Sequence, residues 1–452
     1  MTTVSTGAVK RLISFGKSQY LHSLLIRVTN AALLLGVSVL LARLMGPEEY
    51  GKYGILLSFA TTLAIPFTAG LPRTMTRDIA AARVAGDFGK IRNLIRLGSR
   101  TFLALVPIVV VFAVSLWLAG YEVAGLSFGV FVAVALAPIL SADENRMAIM
   151  RGLGSAIKSQ VPDMLIQPLG TTVIVVTLLI TIGQADAATG MAAYSCATLF
   201  GFVVGAVMVR NEMKRVPDVA AEGKVDRKYF FGSVATMSLL GSAGSLTGNI
   251  DMILLNHFAP YEAAGLYKVA LAGLAVVVLG ANAVSAVAFT RLAEVIPNRD
   301  VDQIAAYSDQ ALKWSILFTG GVTAVVFVIG RPMIELLYGS DYSGVWAILL
   351  ILAVGFTVAM CFGQSPDIAS LSGAQVPAAF CILLSVGLTA TVTYFTYDAL
   401  GPLGIAVGSM VGTISRYFLT SVIVRVRLGV DVTVFGLIAR AMKNVKAQQP
   451  VS

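Results

Sequence analysis

Within the apolar stretches of this 452-residue chain, a few polar side chains recur at helical spacing. Ser23, Arg27, Asn30 and Ser38 share a face of the first stretch, and Ser238, Ser242, Ser245 and Asn249 share a face of the seventh, with Asp251 just beyond. Lys268 and Asn282 stand two heptads apart in the eighth, and Ser409, Thr413, Arg416 and Thr420 line the twelfth. Serine and threonine in such helices are more often packing groups than ligands. Arginine differs: placing a guanidinium in hydrocarbon costs about 3 kcal/mol or more, so it calls for a watery cavity or an anionic partner. Its planar fork grips two phosphate oxygens at once, which a lysine ammonium cannot copy. The candidate binding residues are therefore Arg27, Asn30, Asn249, Asp251, Lys268 and Arg416, and an oxygen-rich anion suits them best.

Each has a plainer reading. Arg27 snorkels to the membrane surface if the first helix begins near residue 23, but lies about eleven residues deep if it begins near residue 16. The same choice applies to Arg416. Lys268 and Arg43 are expected at the outer interface. Asp251 pairs with a cation or with Lys268, and the residue types alone do not choose between them.

Catalytic chemistry finds little support. Cys196, Cys361 and Cys381 all lie in apolar runs, and His22 and His257 are the only histidines, so zinc and haem sites are not expected. Gly241 to Gly248 is glycine-rich but lacks the lysine of a phosphate-binding loop. No connection is long enough to carry an external active site. No cofactor and no metal are expected, and the chain is not expected to be an enzyme.

The elements that must position these groups are membrane helices. The chain is 57% hydrophobic and 13% charged, about half the charge of an ordinary soluble domain. Stretches of about 20 apolar residues cross the hydrocarbon layer. They fall near 23–44, 52–72, 101–119, 123–141, 164–182, 187–209, 230–256, 264–288, 314–338, 343–363, 376–397 and 402–424. Residues 8–22 are expected to lie along the membrane surface as an amphipathic segment. The net charge of +9 reflects loop bias rather than nucleic-acid binding. Arg73, Arg77, Arg83, Lys90, Arg92, Arg96 and Arg100 crowd one connection, while the short turns holding Glu122, Asp186, Asp341 and Asp398 have no basic residue. Excess Lys and Arg marks the cytoplasmic side, which puts both termini there.

A tight turn, Gly46-Pro47-Glu48-Glu49-Tyr50-Gly51-Lys52-Tyr53, separates the first two stretches. Glycine and proline end one helix, and the glutamates suit the positive end of the next. The pattern returns as Pro260-Tyr261-Glu262-Ala263-Ala264-Gly265-Leu266-Tyr267. With nearly the same offset of about 214 residues, Arg77 returns as Arg291, Gln160-Val161-Pro162 as Gln375-Val376-Pro377, and Gly190-x-Ala192 as Gly404-x-Ala406. The sequence thus predicts two six-helix halves, 1–225 and 226–452. They run in the same direction as parallel repeats, an arrangement that suits a transporter.

Ala42-Arg43-x-x-Gly46-Pro47-Glu48-x-Tyr50-Gly51-x-Tyr53 resembles the first outer turn of the bacterial oligosaccharide flippase, or polysaccharide biosynthesis protein, family. The segment from Arg151-Gly152 to Gln160-Val161-Pro162-Asp163 is similar to that family's inner loop between helices 4 and 5, and Asn249-Ile250-Asp251 with Gly265-Leu266-Tyr267 to its helix 7–8 region. The resemblance implies the fold of the multidrug/oligosaccharidyl-lipid/polysaccharide exporter superfamily, an all-α polytopic protein of two bundles in the V shape of MATE transporters. Members often have fourteen spans. It implies a polyprenyl-pyrophosphate-linked oligosaccharide as substrate in the bacterial inner membrane. Membrane lipids and polysaccharide polymerase machinery would be its partners. A cation-coupled multidrug exporter of the same superfamily is the nearest rival, and it would want more acidic residues in its spans than Asp251.

The charge pattern fixes a topology that reporter fusions can check. Reporters at Glu122, Asp341 and Asp398 should register outside, and those at Lys90, Lys224 and Gln303 inside. A shared side for Lys90 and Glu122 would contradict the span assignment.

Overall fold

The first break in the chain falls at Gly46, whose backbone takes φ 74° and ψ 172°, a conformation that costs glycine little and other residues much. The structure is a computed structural model. It describes residues 6–126, 129–182, 185–217, 225–298 and 300–448, with side chains described except at 6–25, 27, 182, 239–240, 290 and 443–448. Helix α1 (Thr6–Leu63) runs through the break, followed by α2 (Ile65–Thr68), α3 (Leu71–Val84), α4 (Phe88–Leu118) and α5 (Gly129–Gly152). Helix α6 (Ala156–Val161) continues through a π turn, Pro162–Ile166, into α7 (Gln167–Ile182). Then come α8 (Ala187–Met213), α9 (Arg227–Phe258), α10 (Tyr261–Val295), α11 (Val301–Tyr338), α12 (Val345–Met360) and α13 (Ser365–Leu371). The last three are α14 (Gln375–Leu400), α15 (Pro402–Leu428) and α16 (Val434–Gln448). The described residues are all-α, with one isolated bridge between Val123 and Leu126. Each of the twelve expected spans falls on a helix.

Among the described residues, length and apolarity alone qualify eight helices as membrane-crossing, or nine if α12 and α13, bent by 48°, form one broken span. Val28–Leu63 counts once among the eight although Gly46 divides it. Twelve is reached by counting its two sides separately and adding α5 and α9. Neither passes the test: α5 carries Asp143, Glu144, Arg146 and Arg151, and α9 carries Asn249 and Asp251 among serines and glycines. The expected fourth span also starts later than 123, because residues 121–126 form a turn before α5. Residues 8–22, expected on the membrane surface, belong to α1, and their side chains lie outside the described residues.

The chain divides into two compact units, Met1–Met45 with Phe59–Gly241, and Gly46–Ser58 with Ser242–Ser452. In the first, the basic connection 73–100 is itself helical. Leu71, Met75, Ile79 and Ala82 recur along one face of α3 and pack on Ile91 and Leu94 of α4, Ala148 of α5 and Phe230 of α9, leaving the arginines outside this core. Asp87 starts α4 by accepting from the Lys90 N–H at 2.9 Å. Asp186 starts α8 through a reciprocal pair with Thr189, 2.8 Å each way, and these hydrogen bonds hold its carboxyl below the usual carboxylate range. In the second unit, Leu292 of α10 and Ile296 just past its end pack with Ile304 of α11, Ile368 of α13 and Val424 of α15.

Small residues set the helix spacing in the second unit. Gly404, Gly408 and Gly412 of α15 face Thr396, Thr393 and Thr389 of α14, with α14 backbone atoms 2.7–2.9 Å from where each added Cβ would stand. The two copies of the repeated turn meet reciprocally. A Cβ on Gly51 would strike the Tyr261 carbonyl oxygen, and a Cβ on Gly265 would strike the Pro47 carbonyl oxygen. Around this crossing Tyr50, Tyr53 and Tyr267 are buried, and Lys52 pairs with Glu48 (2.9 Å) and Glu49 (2.7 Å) beneath the Tyr261 ring.

This crossing has no room for a methyl group. Gly51→Ala and Gly265→Ala should each cost about 1–3 kcal/mol or prevent accumulation of folded protein. Gly244→Ala, where no atom lies within 4 Å of the added Cβ, should be neutral or gain up to ~1 kcal/mol. Yield after size exclusion and the thermal unfolding midpoint measure both.

Candidate functional site

In the second unit the polar groups of α9, α10 and α15 converge. Asp251, 6% exposed on α9, accepts a 3.0 Å hydrogen bond from Ser409 Oγ of α15. The fully buried Tyr267 of α10 sets its hydroxyl beside the same carboxylate, but outside hydrogen-bond geometry. Asp251 Oδ1 and the Tyr267 hydroxyl are thus both buried without a hydrogen-bond partner among the described residues. The partner of Asp251 is Ser409 rather than Lys268.

Lys268, the next residue after Tyr267, is half-buried and runs its methylenes over Gly54, whose added Cβ would stand 3.2 Å from Lys268 Cδ. Among the described residues it has no ion pair or hydrogen bond. Two turns beyond Ser409, about 10 Å along α15 on the same face, stands Arg416. Its guanidinium lies over the Tyr417 ring at 5.2 Å, and its Nε is buried without a hydrogen-bond partner. Asp367 of α13 is within electrostatic range but forms no ion pair with it; Ser285 of α10 donates a hydrogen bond to that carboxylate.

The other candidates are less informative. Asn249 is half-buried and donates to the Ser245 carbonyl of its own helix at 3.0 Å. Asn30 is half-buried on α1 in the first unit, and the Arg27 side chain lies outside the described residues. The polar stripe of α9 also serves packing, since Gly70 has room for no more than a hydrogen against Ser238.

In the first unit the structure assembles a charge cluster that sequence reasoning passed over. Arg146 Nε donates to Asp143 Oδ1 at 2.7 Å one turn earlier on α5, with the two side chains 3% and 9% exposed. Its terminal nitrogens reach the Ser159 carbonyl at 3.5 Å. Space for the guanidinium comes from Gly205 of α8, where an added Cβ would strike it. The two glycines of Gly201-x-x-x-Gly205 serve different neighbours: Gly201 sits near the Pro162 carbonyl, 3.3 Å from an added Cβ, and Gly205 receives a cation. Glu144 and Arg151 approach to 4.0 Å nearby.

The model of the polysaccharide biosynthesis protein family matches residues 18–295, more than half of the chain. The chain belongs to that family. The match contains the repeated turn, the Asp143–Arg146 pair, Asp251 and Lys268. No curated protein matches the chain. Among solved structures, the chain is similar to an inward-facing multidrug resistance MATE family transporter of the MOP superfamily, at 17% identity and a TM-score of 0.73, covering 88% of this chain and 94% of that one. An outward-facing structure of such a transporter gives 17% identity, a TM-score of 0.63 and coverage of 90% and 94%. A mutant of the Vibrio cholerae MATE transporter VcmN gives 13% identity, a TM-score of 0.61 and coverage of 90% and 94%. At these identities the likeness is one of fold. This member of the polysaccharide biosynthesis protein family is a multi-pass membrane protein with the MATE fold.

The missed pair had a signal. Asp143-Glu144-Asn145-Arg146 follows an apolar run, and its first and last residues stand three apart, the spacing of an intrahelical ion pair. Removing one partner of a buried pair strands the other. Arg146→Ala should therefore cost about 3–5 kcal/mol, whereas the double change Asp143→Leu, Arg146→Met should recover most of it. Thermal unfolding in detergent reads both. A double variant as unstable as the single would mean that the packing around Gly205, rather than the charge, sets the cost.

Proposed function

We propose that the protein is a flippase that carries a polyprenyl-pyrophosphate-linked oligosaccharide from the inner to the outer leaflet for surface polysaccharide assembly. Membership of the polysaccharide biosynthesis family supports the sugar, and the MATE fold supports an exporter. The observation that carries the reading is the pair of membrane-helix cations, Lys268 and Arg416, that make no ion pair among the described residues. A cation kept in such a place without a carboxylate is poised for an anion brought by the ligand. Pyrophosphate supplies that anion, and the polyprenyl tail stays in lipid. In the bacterial inner membrane with both termini cytoplasmic, the inside-negative potential favours outward movement of negative charge by ~2.3 kcal/mol per charge per 100 mV.

A cation-coupled multidrug exporter is the second reading, and one observation favours it: the unpartnered Oδ1 of the buried Asp251. The two readings part cleanly. A strain lacking the protein should accumulate lipid-linked oligosaccharide on the cytoplasmic face and lose surface polysaccharide, with drug susceptibility unchanged. Arg416→Ala and Lys268→Ala should each lower outward transfer about tenfold or more at normal protein abundance, the loss of one charge-assisted grip on phosphate. Raised drug susceptibility with intact surface polysaccharide would favour the exporter instead.

A further inference from the structure

The last helix is built inside out for a protein in water. In α16, Phe435 (72% exposed), Ile438 (47%) and Met442 (58%) point away from the rest of the unit, and Ala439 is exposed beside them. These four residues span about 100° of the helix, an unbroken apolar arc. The face that packs inward carries Gly436 and Arg440. A helix on a soluble protein turns its arc the other way.

What fixes this orientation is polar. Arg440 forks onto both carboxylate oxygens of Asp309 in α11, with Nε to Oδ2 at 2.9 Å, and its Nη1 donates to the Asp431 carbonyl at 2.8 Å. Asp431 in turn accepts from the Thr433 N–H at 3.0 Å, and the Val434 N–H donates to the Cys361 carbonyl at 2.8 Å. Gly436 leaves no room between the helix and Asp431. Rolling α16 to hide its apolar arc would break a bidentate ion pair and all of these contacts.

The place of α16 in the chain says what covers the arc. Helix α15 is long and apolar enough to cross a membrane and ends at Leu428, so only 429–433 separate it from α16. Along the second half of α15, Phe418, Val422 and Val426 are exposed, and Arg425 and Arg427 stand exposed in its last turn. Apolar surface thus continues from a spanning helix, past the arginines of its last turn, into α16 across a short corner.

We propose that α16 lies in the plane of the membrane surface, with the arc from Phe435 to Met442 sunk into the acyl boundary, with Arg427 at the phosphate headgroups and with Arg425 held at the corner by Asp431 (3.5 Å). The occupant is lipid, and the Arg440–Asp309 pair ties that surface helix to α11. This is a membrane contact separate from substrate transfer. It would hold equally for a flippase and for a drug exporter.

Spin labels test it on the full chain, with Cys196, Cys361 and Cys381 changed to alanine, in nanodiscs of phosphatidylethanolamine and phosphatidylglycerol. Labels introduced at Phe435→Cys, Ile438→Cys and Met442→Cys should collide with oxygen several-fold more, relative to a water-soluble nickel chelate, than a label at Ala441→Cys. Nickel access at all four positions would put the arc in water and overturn the proposal. Exclusion of both agents at 435, 438 and 442 would mean a protein covers the arc, and would overturn it as well. Phe435→Asp, which leaves the Arg440–Asp309 pair intact, should shift the label at 438 toward nickel without loss of folded protein.

Discussion

Gly51 and Gly265 hold two helices at backbone distance, and much of the second unit is arranged around that contact. Each glycine faces the carbonyl of the residue four places before the other, Tyr261 or Pro47, so the same short motif supplies both sides. In lipid no hydrophobic force drives helices together, so van der Waals contact and close approach must do so. The buried tyrosines and the Lys52–Glu48–Glu49 group gather around this crossing because its two backbones leave them a fixed frame. Asp251 lies on α9 shortly before the second copy, and Tyr267 is the last residue of that copy.

Charges inside the helices fall into two kinds. Arg146 is answered in full, by Asp143 and the Ser159 carbonyl, in a space that Gly205 vacates. That is the arrangement of a structural ion pair, whose desolvation is offset internally. Lys268 makes no ion pair among the described residues, and Arg416 meets only a ring and a carboxylate that does not pair with it. Cations left in this way keep their full appetite for an anion, and this contrast, more than the number of charges, is what separates scaffold from candidate site.

The architecture was largely legible because its signals are periodic. Apolar runs placed a helix at every expected span, and the Gly46-Pro47 turn marked the break in α1, whereas nothing in its echo showed that the two copies meet. Three features escaped for physical reasons. The basic connection after the second span is helical because its apolar stripe, at i, i+4 spacing, hides among arginines that dominate its composition. The Asp143–Arg146 pair lies beyond the end assigned to the fourth span, where charged residues pass for loop. Which partner Asp251 takes depends on a helix more than 150 residues away, and no local pattern carries that information.

The π turn at Pro162–Ile166 has its own consequence for the fifth span. Proline cannot donate to the carbonyl four residues earlier, and here the ladder is rejoined by a wider ring, Gln167 N–H to Pro162 O. One extra residue enters that loop of the helix, so everything after it is out of phase by about 100° with everything before it. Lys158 and Ser159, ahead of the slip, reach Glu212 and Arg146, whereas Gln167 and Thr171, behind it, turn to each other. A helical wheel drawn through the whole segment would misplace one group or the other. The span is two wheels on one axle, with Asp163 at the joint.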